Sequence, residues 1–374
     1  MDNILLSTAL AFIITFFSIP VIIQVAKEKK LFDEPDERKV HKTVIPTLGG
    51  LGIFAGFILA CLMCTPPALN SQLQFFAGAC VVIFFLGLKD DILVISASKK
   101  FIGQLIAAGI IIKFGGIHIN NMGGFLGIYE IPSFAGNILT LFTIIVVTNS
   151  FNLIDGVDGL AGSLGFLTTI VFGTYFYMIG ELAFSVMAFA LAGSLLSFLI
   201  YNFSPAKIFM GDTGSLLLGL INSILVIKFI NVAGNPATLI NLDAAPAIGF
   251  SILIIPLLDT LRVFSLRILD RRSPFSPDRN HIHHFLLDLG LNHKQITLTC
   301  VFSNIAFIGL AYALRGFGTT IVVAVLLVAA LSLVSFVYYL RIKLKNNFVQ
   351  HQKEEAIIKR HKILSLVPES VEVE

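Results

Sequence analysis

Five clusters of side chains in this sequence carry oxygen and nitrogen donors at spacings that suit phosphate chemistry. The densest is Asn149-Ser-Phe-Asn152-Leu-Ile-Asp155-Gly-Val-Asp158-Gly-Leu-Ala161. Its polar residues recur every three positions, so they share a helical face. Four oxygen-bearing side chains on one face suit a hard cation or a nucleotide, although a polar turn joining two apolar spans would also use them. A second cluster is Lys89-Asp90-Asp91, followed by Lys99 and Lys100. Adjacent carboxylates repel unless a cation or hydrogen-bond donors share them. They could hold a metal-bound phosphate, handle a proton, or simply end a solvated helix. A third is Phe209-Met-Gly211-Asp212-Thr-Gly214-Ser215, preceded by Asn202. It reads as a loop running into a helix N-terminus, where backbone N–H groups favour anions and Asp212 could hold Mg2+. It is no Walker A motif, because no Gly-Lys-Ser/Thr follows at the required spacing.

The fourth cluster is Asp278-Arg279-Asn280-His281-Ile-His283-His284, downstream of Arg262, Arg267, Arg271 and Arg272. His-x-His-His can bind a transition metal, recognise a diphosphate together with the arginines, or sit in a basic loop that only fixes topology. The fifth runs from Arg38 through Lys42 to Pro46-Thr47-Leu-Gly49-Gly50, where glycines at a span entrance suit close backbone approach.

These clusters need elements to hold them, and the composition defines those elements. Of 374 residues, 56% are hydrophobic and only 13% are charged. Mean hydropathy is +0.89. So little polar surface excludes an ordinary soluble enzyme, a disordered chain and a disulfide scaffold, and leaves an all-α polytopic membrane protein. About eleven apolar runs have spanning character, near 3–25, 46–65, 73–89, 100–114, 137–153, 160–179, 182–201, 213–231, 246–264, 297–314 and 319–340. Eleven spans place successive flanks on alternate sides. One side then holds 23 Lys and Arg and the other only Lys113, Lys228 and Arg315. The positive-inside rule puts the N-terminus outside and the C-terminus in the cytoplasm. All five clusters fall on the cytoplasmic side. Residues 1–340 read as a single transmembrane catalytic domain, and 341–374 as a cytoplasmic tail suited to an interfacial helix. Cys61, Cys64, Cys80 and Cys300 read as packed thiols more than redox or zinc groups.

Taken together, the ordered motifs resemble the polyprenyl-phosphate N-acetylhexosamine-1-phosphate transferases, a glycosyltransferase 4 type family. They are Lys-x-x-x-Pro-Thr-x-Gly-Gly, Asp-Asp, Asn-x-x-Asn-x-x-Asp-Gly-x-Asp-Gly-Leu-Ala, Phe-Met-Gly-Asp-Thr-Gly-Ser-Leu and His-Ile-His-His. The last is similar to the WecA/TagO-like branch, since Ile282 interrupts the three consecutive histidines of the muramyl-pentapeptide branch.

The resemblance implies transfer of GlcNAc-1-phosphate from UDP-GlcNAc to undecaprenyl phosphate, with UMP released. Mg2+, or Mn2+ in its place, would be the cofactor. Asp212 and Asn152 would be its ligands. Lys42, Asn202, Phe209 and Asp158 would lie around the nucleotide, and Asn149, Asp155 and Arg279 would also bind substrate. Lys100, Arg267, His281, His283 and His284 would lie around the diphosphate and sugar. Asp90 and Asp91 would engage the lipid phosphate, as general base, as positioning groups or as metal ligands. The implied partners are a UDP-N-acetylhexosamine, a polyprenyl phosphate, the lipid bilayer and, by family analogy, a second copy; no nucleic acid is implied. The implied location is a bacterial inner membrane, with the active site facing the cytoplasm. The rival class is an ion-coupled transporter, but the acids cluster at one face and no inverted repeat is visible.

Overall fold

The computed structural model describes residues 2–29, 31–33, 45–66, 72–271 and 281–364. Lys42 and Arg279, both expected near substrate, lie outside the described residues. The chain is almost wholly helical. Thirteen helices are described: α1 (Asp2–Lys29), α2 (Gly49–Cys64), α3 (Leu73–Ile92), α4 (Ala97–Lys113), α5 (Ser133–Ile154), α6 (Leu160–Met178), α7 (Leu182–Asn202), α8 (Gly211–Ala233), α9 (Ala245–Ile252), α10 (Ile254–Leu269), α11 (Ile282–Asp288), α12 (His293–Leu314) and α13 (Thr319–Leu364). A 3-10 turn, Arg315–Phe317, joins α12 to α13, and two short antiparallel pairs complete the described elements. One joins β1 (Phe32–Asp33) to β2 (Ile45–Pro46), and the other joins β3 (Asn121–Phe125) to β4 (Ile128–Glu130).

Seven of the described helices are long and apolar enough to cross a membrane, and eight if the bent pair α9–α10 counts as one span. Many apolar side chains on their outer faces, such as Leu5, Phe17 and Phe142, are exposed, as a lipid-facing surface requires. The chain is a polytopic membrane protein. The expected count of eleven is not met, and the reason is helix length and charge. α2 has 16 residues. α4 has 17 and carries Lys99, Lys100 and Lys113. α3 ends on Lys89, Asp90 and Asp91. α13 also continues past residue 340 without a break, so the expected tail begins as an extension of the last apolar helix.

α8 is the axis of the bundle. Every residue from Thr213 to Ile227 is buried, because α2, α3, α5, α6, α7 and α9 surround it. A helix apolar around its whole circumference must be enclosed in this way. α1 packs on α2 and α7, and α12 packs on α6, α9 and α10. α9 and α10 meet at Leu253 with an 82° bend. The bend interrupts the helical ladder, and Asn304 of α12 repairs it. Its amide donates to the Ile252 carbonyl at 3.0 Å, and its Oδ1 accepts from Ile255 N–H at 3.3 Å. Backbone freed inside an apolar bundle needs such a partner.

Candidate active site

The first turn of α8 organises the site. The segment before α2 runs beside the segment before α8, and three backbone bonds join them. Phe209 N–H donates to Pro46 O at 2.7 Å, Gly49 N–H to Phe209 O at 2.9 Å and Gly50 N–H to Met210 O at 2.8 Å. The approach is so close that a Cβ at Gly50 would stand 2.2 Å from Gly214 N. Gly211 opens the helix with φ +71°, a left-handed conformation that favours glycine. The Pro-Thr-x-Gly-Gly and Met-Gly-Asp-Thr-Gly motifs are therefore two sides of one contact.

No side chain of its own caps α8. Asp91, from the end of α3, does so instead. Its Oδ1 accepts from Asp212 N–H at 2.7 Å. Its Oδ2 accepts from Thr213 N–H at 3.0 Å and Thr213 Oγ1–H at 2.6 Å. A carboxylate suits this position, since it satisfies orphan N–H groups and meets the positive end of the helix dipole. Asp90, its neighbour, turns elsewhere. It accepts from Ile95 N–H at 2.8 Å and pairs with Lys100 Nζ at 2.5 Å.

Lys100 stands in the first turn of α4 and bridges two motifs, because its ammonium also pairs with Asp212 Oδ2. The other oxygen of Asp212 accepts from Asn152 Nδ2 at 3.0 Å, and the same amide reaches Ser215 Oγ at 3.0 Å. Asp90, Lys100, Asn152 and Asp212 thus form one linked group from four helices. They are half-buried, open enough for a soluble substrate. Asp155 caps the C-terminal end of α5 beside them. Desolvation first, then the carboxylates Asp212, Asp91 and Asp158, push its carboxyl up to about 8.

Other sequence-selected residues hold the frame. Asn149 exchanges bonds with buried Gln104 of α4, donating at 2.8 Å and accepting at 3.4 Å. Asn202 is buried, accepts from Gly159 N–H at 2.9 Å and donates to Ile208 O at 2.8 Å. It ties the loop before α6 to the loop before α8. Asp158 is buried as well. It accepts from Ala206 N–H at 3.1 Å and faces His293 Nδ1 at 3.3 Å. The Phe209 backbone, as described above, locks β2 to the α8 entrance.

The histidines come to the same end of the bundle. A Cβ at Gly156 would lie 2.7 Å from His283 Nε2, so the imidazole rests on the Asp155–Asp158 loop. Burial holds the His283 ring far below the usual range, at about 3, and leaves it neutral. The His281 and His283 rings stack 5.5 Å apart, and His284 lies 4.4 Å beyond His283. Arg267 is buried and sits over the Phe264 ring at 5.8 Å.

Asp259, Gln104, Thr213 and His293 also belong to this network and were not singled out in the sequence, and Ser215 was named there only as part of its motif. For Thr213 and Ser215 a signal existed, because they stand inside the Gly-Asp-Thr-Gly-Ser motif. Gln104 and Asp259 are single polar residues in apolar runs, and an intramembrane ionisable residue is itself a functional signal.

Among the described residues no group of three or more His, Cys, Asp or Glu is placed to enclose an ion. The donor chemistry at Asp212 still fits a hard cation. Several carboxylates crowd one another there, and Asn152 adds an amide. Mg2+ typically takes one or two protein oxygens and fills its remaining positions with water and phosphate. All four cysteines are free and buried.

The sequence that builds this helical bundle and its acidic, lysine-bridged site matches a known family. Residues 73–230 fit the pattern of glycosyl transferase family 4. The chain is 32% identical over 308 residues to the probable undecaprenyl-phosphate N-acetylglucosaminyl 1-phosphate transferase of Bacillus subtilis, covering 80% of this chain and 82% of that one. It is 32% identical over 314 residues to the decaprenyl-phosphate N-acetylglucosaminephosphotransferase of Mycobacterium leprae, covering 77% and 78%. Identity to the undecaprenyl-phosphate alpha-N-acetylglucosaminyl 1-phosphate transferase of Escherichia coli K12 is 29% over 294 residues, covering 76% and 77%. The chain belongs to glycosyl transferase family 4.

Proposed function

We propose that this protein transfers N-acetylglucosamine-1-phosphate from UDP-GlcNAc to undecaprenyl phosphate, forming undecaprenyl-diphospho-GlcNAc and UMP. The observation that carries the reading is the linked group Asp90–Lys100–Asp212–Asn152 at the α8 N-terminus. The names of the relatives supply the substrate classes.

A lipid phosphate oxygen attacks the β-phosphorus, the bond from that phosphorus to the bridging oxygen breaks, and UMP leaves with that oxygen. Such transfers need positioning and charge neutralisation more than covalent help. Mg2+ held by Asp212 and Asn152 would neutralise diphosphate oxygens. Lys100 is tethered by two carboxylates and would move to phosphate oxygens when substrate arrives. Arg267, Arg279, His281, His283 and His284 supply further donors on the sugar-diphosphate side. The structural use of Asp91 as a cap favours a positioning role for it. A phosphate monoester has a second pKa near 6. It is already largely dianionic at neutral pH, so a base is of limited use. Lys42, Asn149, Asp155, Asp158, Asn202 and Phe209 would shape the nucleotide side.

At a bilayer surface this site would let a soluble nucleotide and an isoprenoid tail meet. On the positive-inside rule the basic residues that flank the site motifs, among them Lys99, Lys100, Arg262 and Arg267, favour a cytoplasmic face, and the membrane would be a bacterial inner membrane. Purified protein with Mg2+ and undecaprenyl phosphate tests the reading. UDP-GlcNAc, UDP-GalNAc and UDP-MurNAc-pentapeptide are supplied separately. Lipid-dependent UMP release with UDP-GlcNAc alone is expected. Release with a different sugar nucleotide would keep the chemistry and overturn the sugar.

A further inference from the structure

The 82° bend at Leu253 turns α10 out of line with α9, and Asn304 holds the bend. Asp259, Val263 and Arg267, four residues apart, are buried on one face of α10, while Leu261, Leu266, Ile268 and Leu269 are exposed. Asp259 and Arg267 are therefore turned inward, while Leu261, Leu266, Ile268 and Leu269 face outward. Asp259 is 1% exposed. A carboxylate so deeply buried is costly unless it is paired and hydrogen-bonded. Its Oδ2 lies 2.8 Å from His281 Nδ1. Its Oδ1 accepts from Ile282 N–H at 2.8 Å and from Arg262 Nη2 at 3.3 Å. One carboxylate thus grips both the ring and the adjoining backbone of the His-Ile-His-His motif.

We propose that Asp259 is a positioning residue that fixes His281 as its Nδ1–H tautomer and aims Nε2 at the transferring phosphate. This rests on the transferase reading above. An ionised carboxylate can only accept, so Nδ1 must carry the proton. Nε2 is left to accept a proton or, once protonated, to donate to a phosphate oxygen. The same division of labour operates wherever a carboxylate orients a catalytic imidazole. The stacked His283 ring, 5.5 Å away and 6° from parallel, fixes the ring plane. Asp259 itself need not touch substrate.

The charged and titratable groups around this pair include Arg262 of α10, His283 and His284 of α11, and His293 and Cys300 of α12, with Asp158 beyond His293 at 3.3 Å. Asp259 is the carboxylate that meets His281 Nδ1 directly.

Three variants test the proposal in the full-length protein: Asp259→Asn, Asp259→Glu and His281→Gln. Asparagine keeps an acceptor for Ile282 N–H but can offer an N–H to Nδ1, which selects the wrong tautomer. Asp259→Asn is expected to lower kcat about 10–100-fold, as loss of an orienting partner does elsewhere. KM for the sugar nucleotide should hold steady. Asp259→Glu should recover part of kcat. The double variant Asp259→Asn/His281→Gln should be no slower than His281→Gln alone.

Nitrogen-15 spectra of histidine-labelled protein give a readout free of turnover. The signals missing in His281→Gln should report Nδ1–H in the parent and Nε2–H in Asp259→Asn. Folded Asp259→Asn with parental kcat, multiplying losses in the double variant, or an Nε2–H tautomer in the parent would each overturn the proposal. Parent protein that turns over none of the sugar nucleotides would sink the transferase reading instead, while the nitrogen spectra would still decide the Asp259–His281 pairing.

Discussion

Replacing Asp91 with Asn separates a helix cap from a catalytic base. The carboxylate accepts three hydrogen bonds at 2.6, 2.7 and 3.0 Å from the first turn of α8. Asparagine retains one acceptor oxygen and sets an NH2 against the donors on the other side. The loss of one charge-assisted bond is about 1.5–3 kcal/mol. Loss of the anion at the helix N-terminus adds about 0.3–1 kcal/mol. Relief of repulsion with Asp212 returns part of this, leaving about 2–3 kcal/mol, or a factor of about 30–150 in local opening. Hydrogen exchange of a peptide covering 208–216 should accelerate by that factor. UMP release should fall because Asp212 is displaced, and a shift of about 1 Å costs about 100-fold. Thr213→Val removes a donor and keeps the carboxylate. It should accelerate the same exchange to a lesser degree and lower turnover in parallel. Lost activity with unchanged exchange in Asp91→Asn, and full activity in Thr213→Val, would refute the cap and restore the base.

Three further outcomes follow from the same geometry. Gly50→Ala forces a Cβ onto Gly214 backbone at 2.2 Å, whereas Gly78 has nothing within 4 Å. The first should lower the thermal midpoint in detergent by at least the 1–3 kcal/mol or so typical of overpacking, and Gly78→Ala should be neutral or stabilising. Lys100→Met removes the shared partner of Asp90 and Asp212, so UMP release should drop at least about 100-fold, as when charge-stabilising donors are removed elsewhere. Lys100→Met with more than a tenth of parental turnover would contradict the bridge. Asp155 gains a proton on folding, since its carboxyl rises from 3.8 to about 8. A raised folded value means the protonated form favours folding, so this group's contribution declines as pH rises from about 4 to 8. Asp155→Asn should flatten the dependence of thermal midpoint on pH across that window.

Much of the site was legible because its chemistry is written in short motifs. Asp90, Asp91, Asp155 and Asp212 stand beside glycines or one another, Asn152 stands three residues from Asn149 and from Asp155, and polar residues in such runs are conspicuous against an apolar chain. Their roles were less legible. Asp90 and Asp91 are adjacent in sequence, yet one pairs with Lys100 and the other caps α8, because successive helical residues point about 100° apart. Asp259 went unnoticed because a lone carboxylate in an apolar run has no neighbour to mark it, and its partner His281 is 22 residues away. The run 246–264 read as one span because hydropathy carries no direction. Only the bond from Asn304 to Ile252 shows why the helix can turn at Leu253.

The central claim is that this site breaks a phosphorus–oxygen bond of a sugar nucleotide. UDP-GlcNAc labelled with phosphorus-32 in its β-phosphate, incubated with undecaprenyl phosphate and Mg2+, tests it most directly. The account predicts that the label enters the lipid phase in step with UMP release. Label remaining in water as UDP, with only the sugar reaching the lipid, would contradict it.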